Sequence, residues 1–223
     1  MKTRRFSRLR AALLLALLLA YAGLAAAQPL RVMTHGSFDL SRSVVEEFTA
    51  RTGIEVEILP AGDAGEALSR AILTRGRPLA DVLFGVDNSL LPRAVEADIF
   101  EPYRSPHLER VPATFHLDPE HRITPVDAGY VAFNMDLEWF EGQDMQPPAD
   151  LEDLADPRYR SLTVVLDPAT SSPGLGFLLT TVARYGAAEI GGAAEGEGDW
   201  LDYWVRLREN DALVLGGWTD AYY

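Results

Sequence analysis

The order of segments in this chain predicts an α/β fold built on parallel strands. Strand-like and helix-like stretches alternate three times between Leu30 and Val95. Each of the three strand-like stretches gives way to a turn or a glycine, at Gly36-Ser37, at Pro60 to Asp63 and at Gly85. The composition, with 48% hydrophobic and 24% charged residues, is that of a folded globular protein. A length of 223 residues allows one large domain or two small ones.

The elements follow in order. Leu30 to Thr34 is a short apolar strand. Ser41 to Thr52 reads as a helix with Val44, Val45 and Phe48 on one face and Gly53 just past its end. Ile54, Val56 and Ile58 alternate with Glu55 and Glu57, as in a half-exposed strand. Glu66 to Arg75 is helical, with Ala67, Leu68, Ala71 and Ile72 inward and Gly76 as the stop. Asp81 to Phe84 reads as a buried strand, and Ser89 as the cap of a short helix. Tyr103 to Arg122 is irregular, and Tyr130 to Asn134 reads as another strand. Pro147-Pro148 leads into a short helix near Leu151. Leu162 to Leu166 is a strand, and a helix runs from Leu175 to Tyr185 with Gly186 as its stop. Gly191 to Gly198 reads as a flexible acidic loop. Asp199 to Arg208 is amphipathic, with Trp200, Leu201, Trp204 and Leu207 at helical spacing, and Ala212 to Leu215 is a last strand. In a parallel sheet ligands bind beyond the carboxyl ends of the strands. Thr34 to Phe38, Gly62 to Gly65 and Gly85 to Asn88 lie there.

The first 27 residues stand apart. Lys2, Arg4, Arg5, Arg8 and Arg10 precede an apolar run, which ends in Ala25-Ala26-Ala27 before Gln28. This is the pattern of a cleaved secretory signal peptide. A membrane anchor helix is the alternative, against which stand the short run and the small-residue site. The remainder carries 15 basic against 33 acidic residues and no lysine. That excess argues against a nucleic-acid binder, and it favours cationic ligands weakly at long range. No cysteine is present, which excludes disulfides, a thiol nucleophile, Cys-ligated zinc and iron–sulfur clusters.

Few residues suggest chemistry. Thr170, Ser171 and Ser172 precede a helix that opens with Pro173. Free N–H groups and hydroxyls at such an end can take a phosphate or carboxylate, and a plain helix cap accounts for the same residues. Trp218 and Tyr222 offer aromatic faces to a cationic ring, or pack in a core. Asp63 and Asp87 sit at strand ends, where they pair with a ligand cation or merely shape turns. His107, His116 and His121 lie near acids, but at no helical metal-ligand spacing and interrupted by prolines, so no metal centre is expected. No G-x-S-x-G elbow or P-loop appears, so no enzyme is expected.

Four stretches together resemble the periplasmic thiamine-binding proteins of thiamine ABC transporters. They are Ala80-Asp-Val-Leu-Phe-Gly-Val-Asp-Asn-Ser-Leu-Leu91, Thr124-Pro-Val-Asp-Ala-Gly-Tyr-Val-Ala-Phe133, Asp167-Pro-Ala-Thr-Ser-Ser-Pro-Gly-Leu-Gly176 and Gly217-Trp-Thr-Asp-Ala-Tyr222. The resemblance implies a type II periplasmic-binding-protein fold, with two α/β lobes around a ligand cleft. It implies a signal peptide over 1–27, a first lobe over 28–125 and a second over 126–223. Gly216 to Ala221 reads as a strand exit and helix cap with the chain stopping at Tyr223, so the second lobe is expected to be incomplete. The family's Asp-Gly ligand contact falls on Asp63 and Ala64, and its phosphate-binding pair on Ser171 and Ser172. Its ring-packing tryptophan falls on Trp218, while His35 stands where a tyrosine is expected. Asp87 and Tyr222 complete the expected ligand set. The implied function is periplasmic binding of thiamine, thiamine monophosphate or thiamine diphosphate, with no cofactor and delivery to an inner-membrane ABC permease. The alternative is a binding protein of the same fold for ferric ion, with Tyr222 and Tyr223 as phenolate ligands, or for another small anion.

Overall fold

The computed structural model of the chain describes residues 28–186 and 199–222. The signal stretch 1–27, the acidic loop 191–198 and Tyr223 lie outside them. The chain divides into two compact units: the residues up to Arg31 with Leu40–Glu57, and Val32–Asp39 with everything from Ile58 onward.

In the first unit, the start of β1 (Leu30–Thr34) is tied to the chain just before β2 (Val56–Pro60) by the Leu30 N–H donating to the Glu55 carbonyl at 2.8 Å. Between these strands runs α1 (Arg42–Thr52). The sequence places Val44, Val45 and Phe48 on one face, but no residue of α1 is buried, and Val44 keeps 49% of its surface exposed. Ser41 precedes the helix without a side-chain capping bond.

The second unit carries the site. Its first sheet has the order β2-β1-β3, with β1 and β3 (Val82–Leu83) parallel and Val32 opposite Val82. Strand 81–84 is shorter and less buried than its apolar run suggests, because β3 is an edge strand, and Val82 is exposed. Helix α2 (Ala64–Leu73) follows β2 and buries Ala64, Gly65, Ala67 and Leu68. Leu68 and Ala64 join Leu90 and Ala94 in one cluster, with Leu83, Ile72 and Leu175 packed around it. A smaller cluster joins Met33, Ala61 and Ala67 beneath the sheet. Helix α3 (Leu91–Glu96) is not capped by Ser89. Asp87 instead closes the turn before the helix: its Oδ1 accepts the Ser89 N–H at 3.0 Å, the Ser89 hydroxyl at 2.7 Å and the Leu90 N–H at 3.0 Å. A carboxylate two residues earlier outcompetes a hydroxyl as acceptor.

The irregular stretch is ordered by the buried Asp118, which accepts the N–H groups of Glu120, Arg122 and Ile123. The expected strand at 130–134 does not form, and Tyr130 is fully exposed. Its apolar run is real, but a strand needs a hydrogen-bonded neighbour, and none of the described strands runs beside it. Helix α4 (Leu137–Gly142), capped by Asp136, follows instead.

The second sheet pairs β4 (Val164–Leu166) with β5 (Leu213–Leu215) in parallel, Val165 opposite Val214. Around it pack α5 (Leu151–Leu154), α6 (Ser172–Tyr185) and α7 (Trp200–Glu209). Their shared core is Leu154, Val165, Phe177, Tyr185, Tyr203 and Leu207. On α7 the buried pair is Tyr203 and Leu207, flanked by half-buried Trp200 and Trp204, whereas Leu201 faces outward. The Tyr203 hydroxyl makes that choice affordable, because it donates to the Leu151 carbonyl at 2.6 Å. The last element is α8 (Trp218–Tyr222).

Candidate functional site

The loops at the carboxyl ends of the strands converge in the second unit. After β1 and β2 the chain runs side by side, with the Ala61 N–H on the Thr34 carbonyl at 2.9 Å and the Gly36 N–H on the Gly62 carbonyl at 2.6 Å. The next residue, Asp63, caps α2. Its Oδ1 accepts the Ala64 N–H at 2.7 Å, while Glu66 Oε2 accepts the Asp63 N–H at 3.1 Å, a reciprocal capping box.

The loops of the second sheet meet this cap directly. Asp63 Oδ2 accepts the Trp218 N–H at 3.2 Å. Gly217 allows the approach, since a Cβ there would lie 3.0 Å from that oxygen. The Gly65 N–H donates to the Thr170 carbonyl at 2.9 Å, and Thr170 Oγ1 donates to the Gly216 carbonyl at 2.6 Å. Thr170 thus holds the loop before α6, the loop before α8 and the start of α2 to one another.

Between these loops lies a cleft of about 230 Å³, lined by Gly36, Ser37, Gly62, Asp63, Glu66 and residues 216–220. Asp63, Glu66 and Asp220 bring three carboxylates to it, and none of them forms an ion pair among the described residues. No arginine or histidine is among the lining residues. Trp218 supplies an aromatic wall and stacks on Tyr222, with ring centroids 4.6 Å apart and planes 10° from parallel. A larger hollow of about 430 Å³, bounded by Phe133, Met135, Glu152 and Tyr185, holds none of the expected site residues.

Of the eight residues expected from sequence, two line the cleft: Asp63 and Trp218. Tyr222 lies against the cleft's tryptophan through the stack. Ala64 is buried as the first residue of α2. Ser171 stands at the N-cap of α6, 1% exposed, with its hydroxyl buried and lacking a hydrogen-bond partner. Ser172 is half-buried in the first turn of that helix. His35 packs its ring against Phe38 and Phe84, with centroids 6.2 and 6.0 Å away. Asp87 is held in the turn before α3. None of Ser171, Ser172, His35 and Asp87 is among the lining residues. Glu66 and Asp220 are the charged lining residues that the sequence argument passed over. The D-x-x-E spacing of Asp63 and Glu66 was the available signal, since a capping box brings both carboxylates to one helix end. Of the histidine group, His116 Nε2 pairs with the Val111 carbonyl at 3.0 Å. Among the described residues no three His, Asp or Glu side chains converge as a metal cluster.

Two parallel sheets flanked by helices, with a cleft at the strands' carboxyl ends, define the fold of the type II periplasmic binding proteins. Structural likeness agrees. A solved periplasmic thiamin binding protein superposes with a TM-score of 0.64 at 25% identity, over 86% of this chain and 57% of that one. Iron-bound HitA from Pseudomonas aeruginosa gives 0.55 at 18% identity, over 86% of this chain and 56% of that one, a likeness of fold alone.

The chain belongs to the bacterial extracellular solute-binding protein family, which it matches over residues 77–196. The thiamine-binding periplasmic protein of Salmonella typhimurium is 30% identical over 214 residues, 93% of this chain. The chain spans 60% of that relative's length.

Proposed function

We propose that this chain is the solute-binding component of an ABC importer, located in the periplasm, that captures a thiamine-class ligand and delivers it to an inner-membrane permease. The observation that carries the reading is the pairing of the Asp63 carboxylate and the Trp218 indole in one cleft. Thiamine joins two aromatic rings through a methylene carbon, and one of them, the thiazolium, carries a fixed positive charge. An indole face and a carboxylate are the groups that attract such a cation. Relatives named for thiamine binding, at 30% identity, support the same ligand class. Capture follows the usual logic of binding proteins, in which the ligand favours the state whose contacts surround it.

The test is calorimetric titration of thiamine into the purified chain and into Trp218→Ala. Loss of an aromatic–cation contact of about 1–2 kcal/mol predicts binding weaker by about five- to thirtyfold. Unchanged affinity in the variant would remove Trp218 from the site, and with it the basis of the reading. A thermal melt gives an independent check, because a ligand that binds the folded chain must raise the midpoint.

A further inference from the structure

We infer that Tyr222 is a positioning residue for this site: its ring backs the Trp218 indole, so that an aromatic cation is taken on the indole's other face and not between the two rings. This rests on the thiamine-class reading above, in which Trp218 supplies the aromatic contact. The need for such a residue follows from where Trp218 stands. It opens α8, a helix of five residues with no buried member. A helix of that length does not hold itself together. Its backbone is placed from outside, for α8 lies against β4 and β5, and the Trp218 N–H donates to Asp63 Oδ2 at 3.2 Å. These contacts leave the side-chain torsions open. The indole joins none of the buried clusters among the described residues, and it keeps 37% of its surface exposed. Core packing therefore does not choose its rotamer.

Tyr222 makes that choice. It follows Trp218 by four residues, the spacing that sets two side chains on one helix face. The ring centroids lie 4.6 Å apart with planes 10° from parallel, the offset stack that aromatic pairs favour. Trp218 lines the cleft, and Tyr222 is not among the lining residues. The phenol thus covers one face of the indole and leaves the rest of that ring to the cleft. A third ring between them needs about 3.5 Å on each side, and 4.6 Å between centroids does not hold it. The stack also orders the indole before any ligand arrives, so that binding does not bear the cost of fixing that side chain. Tyr222, expected from sequence among the ligand contacts, acts instead through its neighbour.

The experiment compares the wild-type chain with Tyr222→Phe, which keeps the ring, and Tyr222→Leu, which removes it. Tyr222 is 59% exposed, so neither change takes away core packing. Thiamine is titrated calorimetrically into each. Tyr222→Phe is expected to bind within about twofold of wild type, and Tyr222→Leu about three- to tenfold more weakly. In parallel each chain is labelled with 5-fluorotryptophan, and the Trp218 resonance is picked out of the four by its loss in Trp218→Phe. Without ligand, fluorine NMR should show that resonance displaced by the adjoining ring in wild type and Tyr222→Phe, and moved toward the free amino acid in Tyr222→Leu. Thiamine affinity unchanged in Tyr222→Leu overturns the inference. So does an equal loss in both variants, which would make the hydroxyl a direct ligand contact. If thiamine does not bind the wild-type chain, the thiamine-class reading fails on its own, and the fluorine spectrum decides the positioning role. A displacement kept by Phe and lost with Leu supports it, and a resonance that Leu leaves in place overturns it.

Discussion

Helices α1 and α2 look alike as sequence and differ as structure. Each follows a strand, each carries an apolar stripe, and they have 11 and 10 residues. Yet α1 buries nothing and has no side-chain cap, whereas α2 buries four residues and is closed by a reciprocal Asp63–Glu66 box. The difference teaches that a helical period states which face seeks cover, not whether cover exists. It also shows where the fold has invested order, for the well-anchored helix is the one whose N-terminus borders the cleft.

Substitutions can break the comparison. The largest effect is expected at Leu68, fully buried in α2. Leu68→Ala should lower unfolding free energy by about 3 kcal/mol, measured by urea denaturation. Phe48→Ala on the open face of α1 should cost about 0.5 kcal/mol, and a comparable loss at both sites would show that α1 is covered after all. Next comes Gly65→Ala. The new Cβ would meet the Thr170 carbonyl oxygen at 2.7 Å and its carbon at 2.9 Å, backbone atoms that cannot rotate away. About 2 kcal/mol should be lost, together with the registry of the cleft loops.

Asp63→Ala should cost about 1 kcal/mol through the lost cap, and should weaken thiamine binding as well. Asp63→Asn sharpens the point, because asparagine caps nearly as well without the charge. Stability close to wild type with weakened thiamine binding would separate the two roles of this side chain. Ser41→Ala, at the uncapped end of α1, should leave the melt unchanged. The smallest effect is an acid limb far from the cleft. The hydrogen bonds from Arg206 hold the Glu152 carboxyl below its ordinary value. A carboxyl depressed in the folded state adds stability above its unfolded value, near 4.5, and that contribution fades as pH falls through the folded one. Arg206→Gln should therefore flatten the stability profile slightly on the acid side, while leaving the ratio of Leu68→Ala to Phe48→Ala losses unchanged.

Much of the second unit was legible from local signals. The strand–helix alternation up to Leu90, the Pro173 opening of α6 and the inward Leu68 face all follow from pattern alone. What the pattern could not supply is partnership. Residues 130–134 carry the apolar run of a strand and form none, because pairing is a property of two segments. Leu201 has helical spacing with Trp204 but faces solvent, since the inward position went to a tyrosine with a carbonyl to meet. In the site, Asp63 and Trp218 could be named from their places at element ends. Their hydrogen bond joins residues 155 positions apart, and no local rule reaches that far. Ser171, named as an anion contact, is buried by packing that the hydroxyl's own neighbours in sequence do not reveal.

The stacking of Trp218 on Tyr222 has an optical consequence. Two chromophores 4.6 Å apart and nearly parallel couple their transition dipoles, so the pair contributes a signed band to near-ultraviolet circular dichroism. A guest that slides against the indole alters the spacing or tilt of that pair and changes the band without any dye or label. The chain thus carries, in its last described turn, a gauge of its own occupancy.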